Sequence, residues 1–372
     1  MRRIKVAFLL PSLQGGGAEK ATITLVNNLD RKYFKPLVVI CRNERCYFSP
    51  RHDVPVINLN KSRTRYTLLP LMRFLKKEKP DILYSAMWHI NFIAICTKIL
   101  AHVSTHVVIS VHNNPTMTLL KEGRRWIISL IYSKFYKKAD RVIGVSKGVV
   151  NDLKSYGVPE EKLQAIYNPV VDKEIFSQQL EDVNHPWFQK GETVILSVGR
   201  IVEQKGYPYL IRAFAKVRKR LDAKLVILGE GEDLQRLKML AKEVSIDDSV
   251  DFVGFQKNPF KYMYRAACFV LSSLWEGHGL VLIEAMACGT PVISTRCPYG
   301  PEEIITDGVN GLLVPVRDEV ALAKAIIKVL TDKELARKLR KNGKERAMDF
   351  SVKKMVDESE KLFKSLTTVE NP

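Results

Sequence analysis

The stretch EGHGLVLIEAMACGTPVIS, residues 276–294, carries two carboxylates, Glu276 and Glu284, eight positions apart. Glu276 stands beside His278 in a glycine loop, and Glu284 falls just over one turn inside the apolar run that follows. A core helix needs neither acid. The pattern points instead to a polar ligand held at a helix start. Backbone N–H groups of Gly279, Leu280 and Val281 would lie at the free N-terminus and suit a diphosphate. Each carboxylate can accept two hydroxyl hydrogen bonds, which a sugar or a ribose offers.

A second set of residues reinforces the first. SVGRIVEQKG, 197–206, follows a strand and brings Arg200 and Lys205 to its carboxyl end. Ligands bind on that side of open α/β sheets. Arg200 can bridge phosphate oxygens through two parallel N–H donors, while Lys205 acts as a point charge. Taken singly, either cation reads as a surface ion pair. Near the start of the chain, LLPSLQGGGAEKATITL sets Gly15, Gly16 and Gly17 between a strand and a helix, where backbone N–H groups can approach an anion. The spacing is not GxGxxG, so a dinucleotide fingerprint is absent. A plain tight turn is the competing reading of these glycines.

These residues need a scaffold, and the chain supplies one twice. Short apolar or β-branched runs at 4–10, 35–41, 55–59, 81–85, 105–111 and 141–146 alternate with helix-length segments such as 18–29. The alternation restarts at 192–200, 223–232, 249–255, 267–273, 291–295 and 311–316. Strand–helix alternation predicts a mainly parallel sheet covered on both faces. The expected fold class is therefore α/β, with two doubly wound Rossmann-like domains facing a central cleft. The expected boundaries are 1–172, 173–350 and a C-terminal helix, 351–372, that could pack back on the N-terminal domain. The Asn168-Pro169 turn marks the linker.

Composition narrows the classes. At 372 residues and 46% hydrophobic, the chain can bury two cores. The most apolar helix-length segment, 90–101, is too short for a membrane span and carries Lys98. The N-terminal MRRIKVAFLL reads as a first strand rather than a secretion signal, so a cytoplasmic setting is expected. Six cysteines form no CxxC and no zinc spacing, which excludes a disulfide scaffold and a zinc site of that kind. Residues 1–172 hold 28 Lys and Arg against 12 Asp and Glu, a charge of +16 out of the chain's +19. That asymmetry suggests an anionic partner surface, phospholipid or nucleic acid. The segments 61–80 and 121–141 concentrate it, the latter interleaving basic residues with Trp126, Tyr132, Phe135 and Tyr136. An interfacial helix on anionic lipid fits this pattern; inward-packed apolar residues with solvated lysines are the alternative. No groove-reading or base-stacking motif supports nucleic acid.

The order GGGAEKA … GRIVEQKG … GEGE … VDFVGF … EGHGLVLIEAMACGTPVIS … DGVNGLLVPV resembles retaining glycosyltransferases of family 4, which have the two-domain GT-B fold. The resemblance spans almost the whole chain, and Glu276 to Glu284 matches the family's E-x7-E element. His278 departs from it, since an aromatic residue often stands there. The resemblance implies that Arg200 and Lys205 bind the donor diphosphate and Glu284 the ribose. It implies that Glu276 holds the transferred sugar with main-chain N–H groups after Gly279. The backbone of 252–255, Val253 included, would meet the base beside Gly229 and Gly231, and Gly16 and Gly17 would close over the donor. His112, in VISVHNNP, matches a histidine placed beside the transferred sugar.

The implied reaction moves a hexosyl or N-acetylhexosaminyl group from a nucleotide-diphospho-sugar, UDP-sugar favoured, to a hydroxyl with retention. Attack would come from the leaving-group face, a phosphate oxygen taking the acceptor proton. The acids serve different ends of the donor, so the close carboxylate pair of a double displacement is not supported. No cofactor and no metal are expected, because no Asp-x-Asp stands at a strand end; the acidic GEGED, 229–233, reads as a helix-start cap. GGGAEKA and CPYGPEEII look closest to enzymes extending undecaprenyl-diphosphate-linked oligosaccharides. Expected partners are the donor, a lipid-linked or glycan acceptor and an anionic membrane, on whose inner face the protein would sit peripherally. A sugar-nucleotide epimerase of the same architecture and a basic nucleic-acid-binding protein remain alternatives.

Overall fold

The computed structural model describes residues 2–13, 17–42, 49–61, 63–112, 115–116, 129–276, 279–297 and 300–367. Gly15, Gly16, Trp126, His278, Pro298 and Tyr299 fall outside them. The chain forms two compact units, one of residues 1–169 with 352–372 and one of residues 170–351.

The first unit carries seven strands: β1 Ile4–Leu10, β2 Phe34–Ile40, β3 Val56–Asn58, β4 Ile82–Ala86, β5 His106–Val111, β6 Arg141–Gly144 and β7 Leu163–Ala165. They lie in the order β3-β2-β1-β4-β5-β6-β7 with every pair parallel. Counting helices of eight or more residues, α1 is Gly17–Asn28, α2 Leu68–Glu78, α3 Trp88–Ala101 and α4 Lys147–Ser155. Side chains alternate along the strands and feed two cores. Leu9, Val107, Ile109 and Val111 join Leu75 and Ile95 on one face. Phe8, Leu10 and Val108 join Leu25 on the other.

The second unit repeats the plan with six strands: β8 Val194–Val198, β9 Lys224–Leu228, β10 Val250–Gly254, β11 Cys268–Leu271, β12 Val292–Thr295 and β13 Leu312–Val314. Their order is β10-β9-β8-β11-β12-β13, again all parallel. Its helices are α5 Tyr207–Arg218, α6 Leu234–Glu243, α7 Leu280–Ala287, α8 Glu319–Thr331 and α9 Lys333–Ala347. In both sheets strand order reverses beside the first strand, between β1 and β4 and between β8 and β11. In doubly wound sheets, the carboxyl ends at such a reversal form the ligand crevice.

The last helix, α10 Val352–Thr367, belongs to the first unit. Its Met355, Val356, Leu362, Phe363 and Leu366 are buried. The Phe363 ring lies 6.3 Å from Phe8 and 6.2 Å from both Phe34 and Tyr84.

One expectation fails in the first unit and one in the second. Tyr132 and Tyr136 are 1% and 0% exposed and pack edge to face at 4.8 Å, and Phe135 packs on Phe92 at 4.8 Å. These rings are core side chains rather than anchors for lipid, and they lie in and just after a π turn at Ile131–Phe135. The other basic segment forms α2, with Leu71, Phe74 and Leu75 buried while Tyr66 and Leu69 stay exposed. In the second unit Asp233 occupies the N-cap position of α6 without a side-chain cap; it ion-pairs with Arg236 at 3.9 Å instead. Among the described residues no helix is long and apolar enough to cross a membrane.

Candidate active site

The loops that leave β8 and β11 meet at the reversal point of the second sheet. After β8 the chain turns through Gly199 and Arg200 into a 3-10 turn, Glu203–Lys205. After β11 it runs through Ser272 and Ser273 to Glu276 and enters α7 at Gly279. The two loops are tied backbone to backbone. Leu274 N–H donates to Gln204 O at 2.8 Å, and the Gln204 amide donates to Trp275 O at 3.0 Å. Ser272 Oγ donates to Lys205 O at 2.8 Å.

This framework puts Lys205 Nζ 2.7 Å from Glu276 Oε1. Ser273 Oγ donates to the same oxygen at 2.6 Å. The two charged side chains are 14% and 8% exposed, so the pair is largely desolvated. Coulomb attraction is strengthened there, and the hydroxyl adds a second bond to the carboxylate. Ser273 is itself fixed, because Thr295 Oγ1 donates to its carbonyl at 2.5 Å. Both recorded bonds fall on Oε1. Lys205 Nζ keeps two of its three protons for another acceptor.

Around this pair stand the other candidates. Arg200 is exposed and makes no ion pair among the described residues. Gly279, at φ 75°, starts α7 with no side-chain cap, and Leu282 N–H bonds back to Gly279 O at 2.9 Å. The helix end thus presents the N–H groups of Leu280 and Val281 with their partial positive charge. Glu284 sits half-buried one turn further in. The loop after β9 closes on the β8 loop: a Cβ on Gly231 would fall 2.1 Å from the Ile201 carbonyl oxygen. Gly229 N–H donates to Gly254 O at 2.9 Å, which ties in the end of β10 beside Val253. The register of β10 shifts between Phe252 and Gly254, at Val253 itself.

Arg200, Lys205, Gly231, Val253, Glu276, Gly279, Leu280, Val281 and Glu284 therefore all stand on strand ends or loops at the carboxyl edge of one sheet, or in the first turns of α7. Gly17 and His112 lie in the first unit. Gly17 is exposed at the head of α1. His112 follows β5, with Nε2 3.1 Å from Ser110 Oγ. Burial pulls its pKa from 6.5 down to about 4, so the ring is neutral at physiological pH.

Sequence reasoning missed Ser272, Ser273 and Tyr207. Tyr207 O–H donates to Gly199 O at 3.2 Å; burial raises its pKa, and the charge on Glu276 adds to the rise. Cys297 lies beside the same pair, its thiol pushed up to about 11 by burial, with Glu276 contributing. Two serines directly after an apolar strand were the available signal for the Glu276 anchor. Among the described residues no group of three or more His, Cys, Asp or Glu is placed to hold a metal ion.

Known proteins resemble this chain in sequence and in fold. Residues 15–174 match the family model described as Glycosyltransferase Family 4, and residues 179–346 match the one described as Glycosyl transferases group 1. A Campylobacter jejuni N-acetylgalactosamine-N,N'-diacetylbacillosaminyl-diphospho-undecaprenol 4-alpha-N-acetylgalactosaminyltransferase is 29% identical over 361 residues, 93% of this chain and 95% of that protein. An uncharacterized glycosyltransferase of Methanocaldococcus jannaschii is 31% identical over 327 residues, 77% and 80% of the two chains. The crystal structure of Anabaena Alr3699/HepE in complex with UDP superposes with a TM-score of 0.78 at 20% identity, over 97% of this chain and 100% of that one.

Proposed function

The chain belongs to the family 4 glycosyltransferases with the GT-B fold, and from that premise we propose that it transfers a hexosyl or N-acetylhexosaminyl group, with retention, from a UDP-sugar to a lipid-linked glycan. One observation carries the proposal: a desolvated Lys205–Glu276 pair, anchored by Ser273, stands beside an uncapped helix start at the reversal point of a parallel sheet.

Each part has a task. Lys205, Arg200 and the N–H groups opening α7 hold the diphosphate and stabilise the charge that grows on it as the glycosidic bond breaks. Arg200 is suited to this because it is exposed and makes no ion pair among the described residues. Glu276 accepts hydrogen bonds from hydroxyls of the transferred sugar and steadies its oxocarbenium-like state. Its bonds to Lys205 and Ser273 hold it in place. Glu284 accepts from the ribose hydroxyls, and the backbone near Val253 and Gly231 meets the base. His112 serves the transferred sugar, and Gly16 and Gly17 serve the donor. The acceptor proton passes to a phosphate oxygen on the leaving-group face.

The Campylobacter relative, whose name specifies an undecaprenol-diphosphate acceptor, supports the lipid-linked substrate. The UDP bound in the Anabaena structure, whose fold this chain shares, supports a uridine donor. The +16 charge of residues 1–172 supports peripheral attachment to the inner face of an anionic membrane. The test is a thermal-shift panel of UDP-, GDP- and ADP-sugars, followed by transfer to undecaprenyl-diphosphate-linked glycan with the product's anomeric configuration read by NMR. UDP-sugars should stabilise the fold, and the new linkage should keep the donor's configuration. Turnover of donor to a new nucleotide-sugar without acceptor would replace the proposal with an epimerase. Indifference to anionic liposomes at low salt would remove the membrane from it.

A further inference from the structure

The first unit holds a buried polar chain that the proposed reaction has not used. Along β5 side chains alternate, so Val108, Ser110 and His112 share the face covered by α1 and α10, while Ile109 and Val111 share the other. Ser110 is 1% exposed. Its carbonyl is held from the α3 side, where Asn91 Nδ2 donates to it at 2.8 Å. Asn91 is fully buried and fixed in turn, accepting from Ser85 Oγ at 2.8 Å and reaching the Tyr136 hydroxyl at 3.3 Å. On the opposite face the Ser110 hydroxyl lies 3.1 Å from His112 Nε2 and interacts with the Tyr84 hydroxyl.

The far side of the imidazole is different. Among the described residues His112 Nδ1 is buried with no hydrogen-bond partner. Tyr84, Ser110, His112, Asn168 and Ser359 help to line a cavity of about 10 Å³, room for roughly one water. An unpaired buried nitrogen costs free energy, so a loose ring would turn to satisfy it. The hydrogen bond between Ser110 Oγ and Nε2 opposes that turn and engages one of the two nitrogens.

We propose that Ser110 is a positioning residue for transfer: with its carbonyl held by Asn91 and its hydroxyl beside Tyr84, that hydroxyl holds the His112 imidazole by Nε2 and so fixes the ring's rotamer and tautomer. The proposal rests on the assignment of His112 to the transferred sugar. Ser110 itself touches no substrate, so its effect falls on turnover and not on donor affinity.

The experiment uses the full chain, with Ser110→Ala, His112→Asn and the double variant compared for kcat and donor KM, and imidazole 15N NMR on the ligand-free enzyme. Ser110→Ala should lower kcat about tenfold, the size of one lost hydrogen bond, with KM for donor within about twofold. In the His112→Asn background it should change nothing further. Wild-type protein should show one neutral tautomer of His112 between pH 5 and 8, and Ser110→Ala a mixture. Ser110→Cys, of nearly equal volume, should fall between the two and serves if the alanine variant folds poorly. Unchanged kcat in Ser110→Ala, an additive loss in the double variant or an unaltered tautomer would each overturn the role of Ser110. If His112→Asn alone kept full turnover, the assignment of His112 would fall first, and Ser110 with it.

Discussion

Gly206 and Ser272 touch backbone to backbone: a Cβ on Gly206 would lie 2.2 Å from the Ser272 carbonyl oxygen, and Gly206 sits at φ 60°. No side chain fits between the loop that carries Lys205 and the loop that carries Glu276. Gly206→Ala should therefore destabilise the second unit by roughly 2–5 kcal/mol, from the left-handed backbone and the overlap together. Urea unfolding measures this. Turnover should fall even where the variant stays folded, because parting the loops lengthens the Lys205–Glu276 contact.

The ion pair itself makes a second prediction. Lys205→Met leaves a mostly buried carboxylate without its cation and should cost about 3–5 kcal/mol. Adding Glu276→Leu should recover most of that loss, since an apolar pair has no charge to strand. Activity should vanish in both variants and in Glu276→Leu alone. Chemical denaturation beside a transfer assay separates the two effects. Additive destabilisation would mean that the two side chains do not depend on one another.

Glu276 and Glu284 should part company in a binding experiment. Glu284→Gln should weaken UDP and UDP-sugar alike, by roughly 10–100-fold as expected for a lost bond to a charged acceptor. Glu276→Gln should leave UDP affinity nearly unchanged and weaken only the sugar nucleotide. Isothermal titration with both ligands reads the difference. Equal effects of both substitutions on UDP would reverse the assignment of sugar and ribose ends.

The buried imidazole has a pH signature. His112 is held at about pKa 4 in the fold against 6.5 in an unfolded chain. Between those values the unfolded state binds the extra proton, so stability rises with pH there and is lost as pH falls from 6.5 toward 4. The loss from this group is roughly 3 kcal/mol at most. His112→Asn should flatten that part of the profile in urea unfolding at pH 7, 5.5 and 4. A variant with the wild-type slope would place the titration elsewhere.

Metal should not matter to the diphosphate contacts if Arg200, Lys205 and the α7 N–H groups neutralise it. Turnover in excess chelator should match turnover without it. Activity lost to chelator and restored by Mg²⁺ or Mn²⁺ would require an ion on the donor.

Twelve of the thirteen strands were legible as apolar or β-branched runs of five or more residues. The exception, β7, is only Leu163–Ala165, with no β-branched residue and no alternation long enough to read. It forms because β6 offers it a free edge, which is a tertiary cause. The motif residues of the second unit were legible because strand ends in a doubly wound sheet share one edge. Ser273 was not, since its importance arises only when Thr295 and Glu276 converge on it from other elements. Tyr132 and Tyr136 misled because aromatic residues among lysines look alike whether the rings face lipid or core. Only their burial in the core decides, and no local residue pattern announces it.

The return of α10 to the first sheet has a consequence for how the molecule is made. Phe8, Phe34 and Tyr84 are covered by Phe363, yet residues 170–351 are translated in between. At ~5–20 residues per second, the ribosome leaves that aromatic surface bare for on the order of 10–40 s. During that interval the surface is open to chaperones, and the first unit can complete its core only after residues 170–351 have been made.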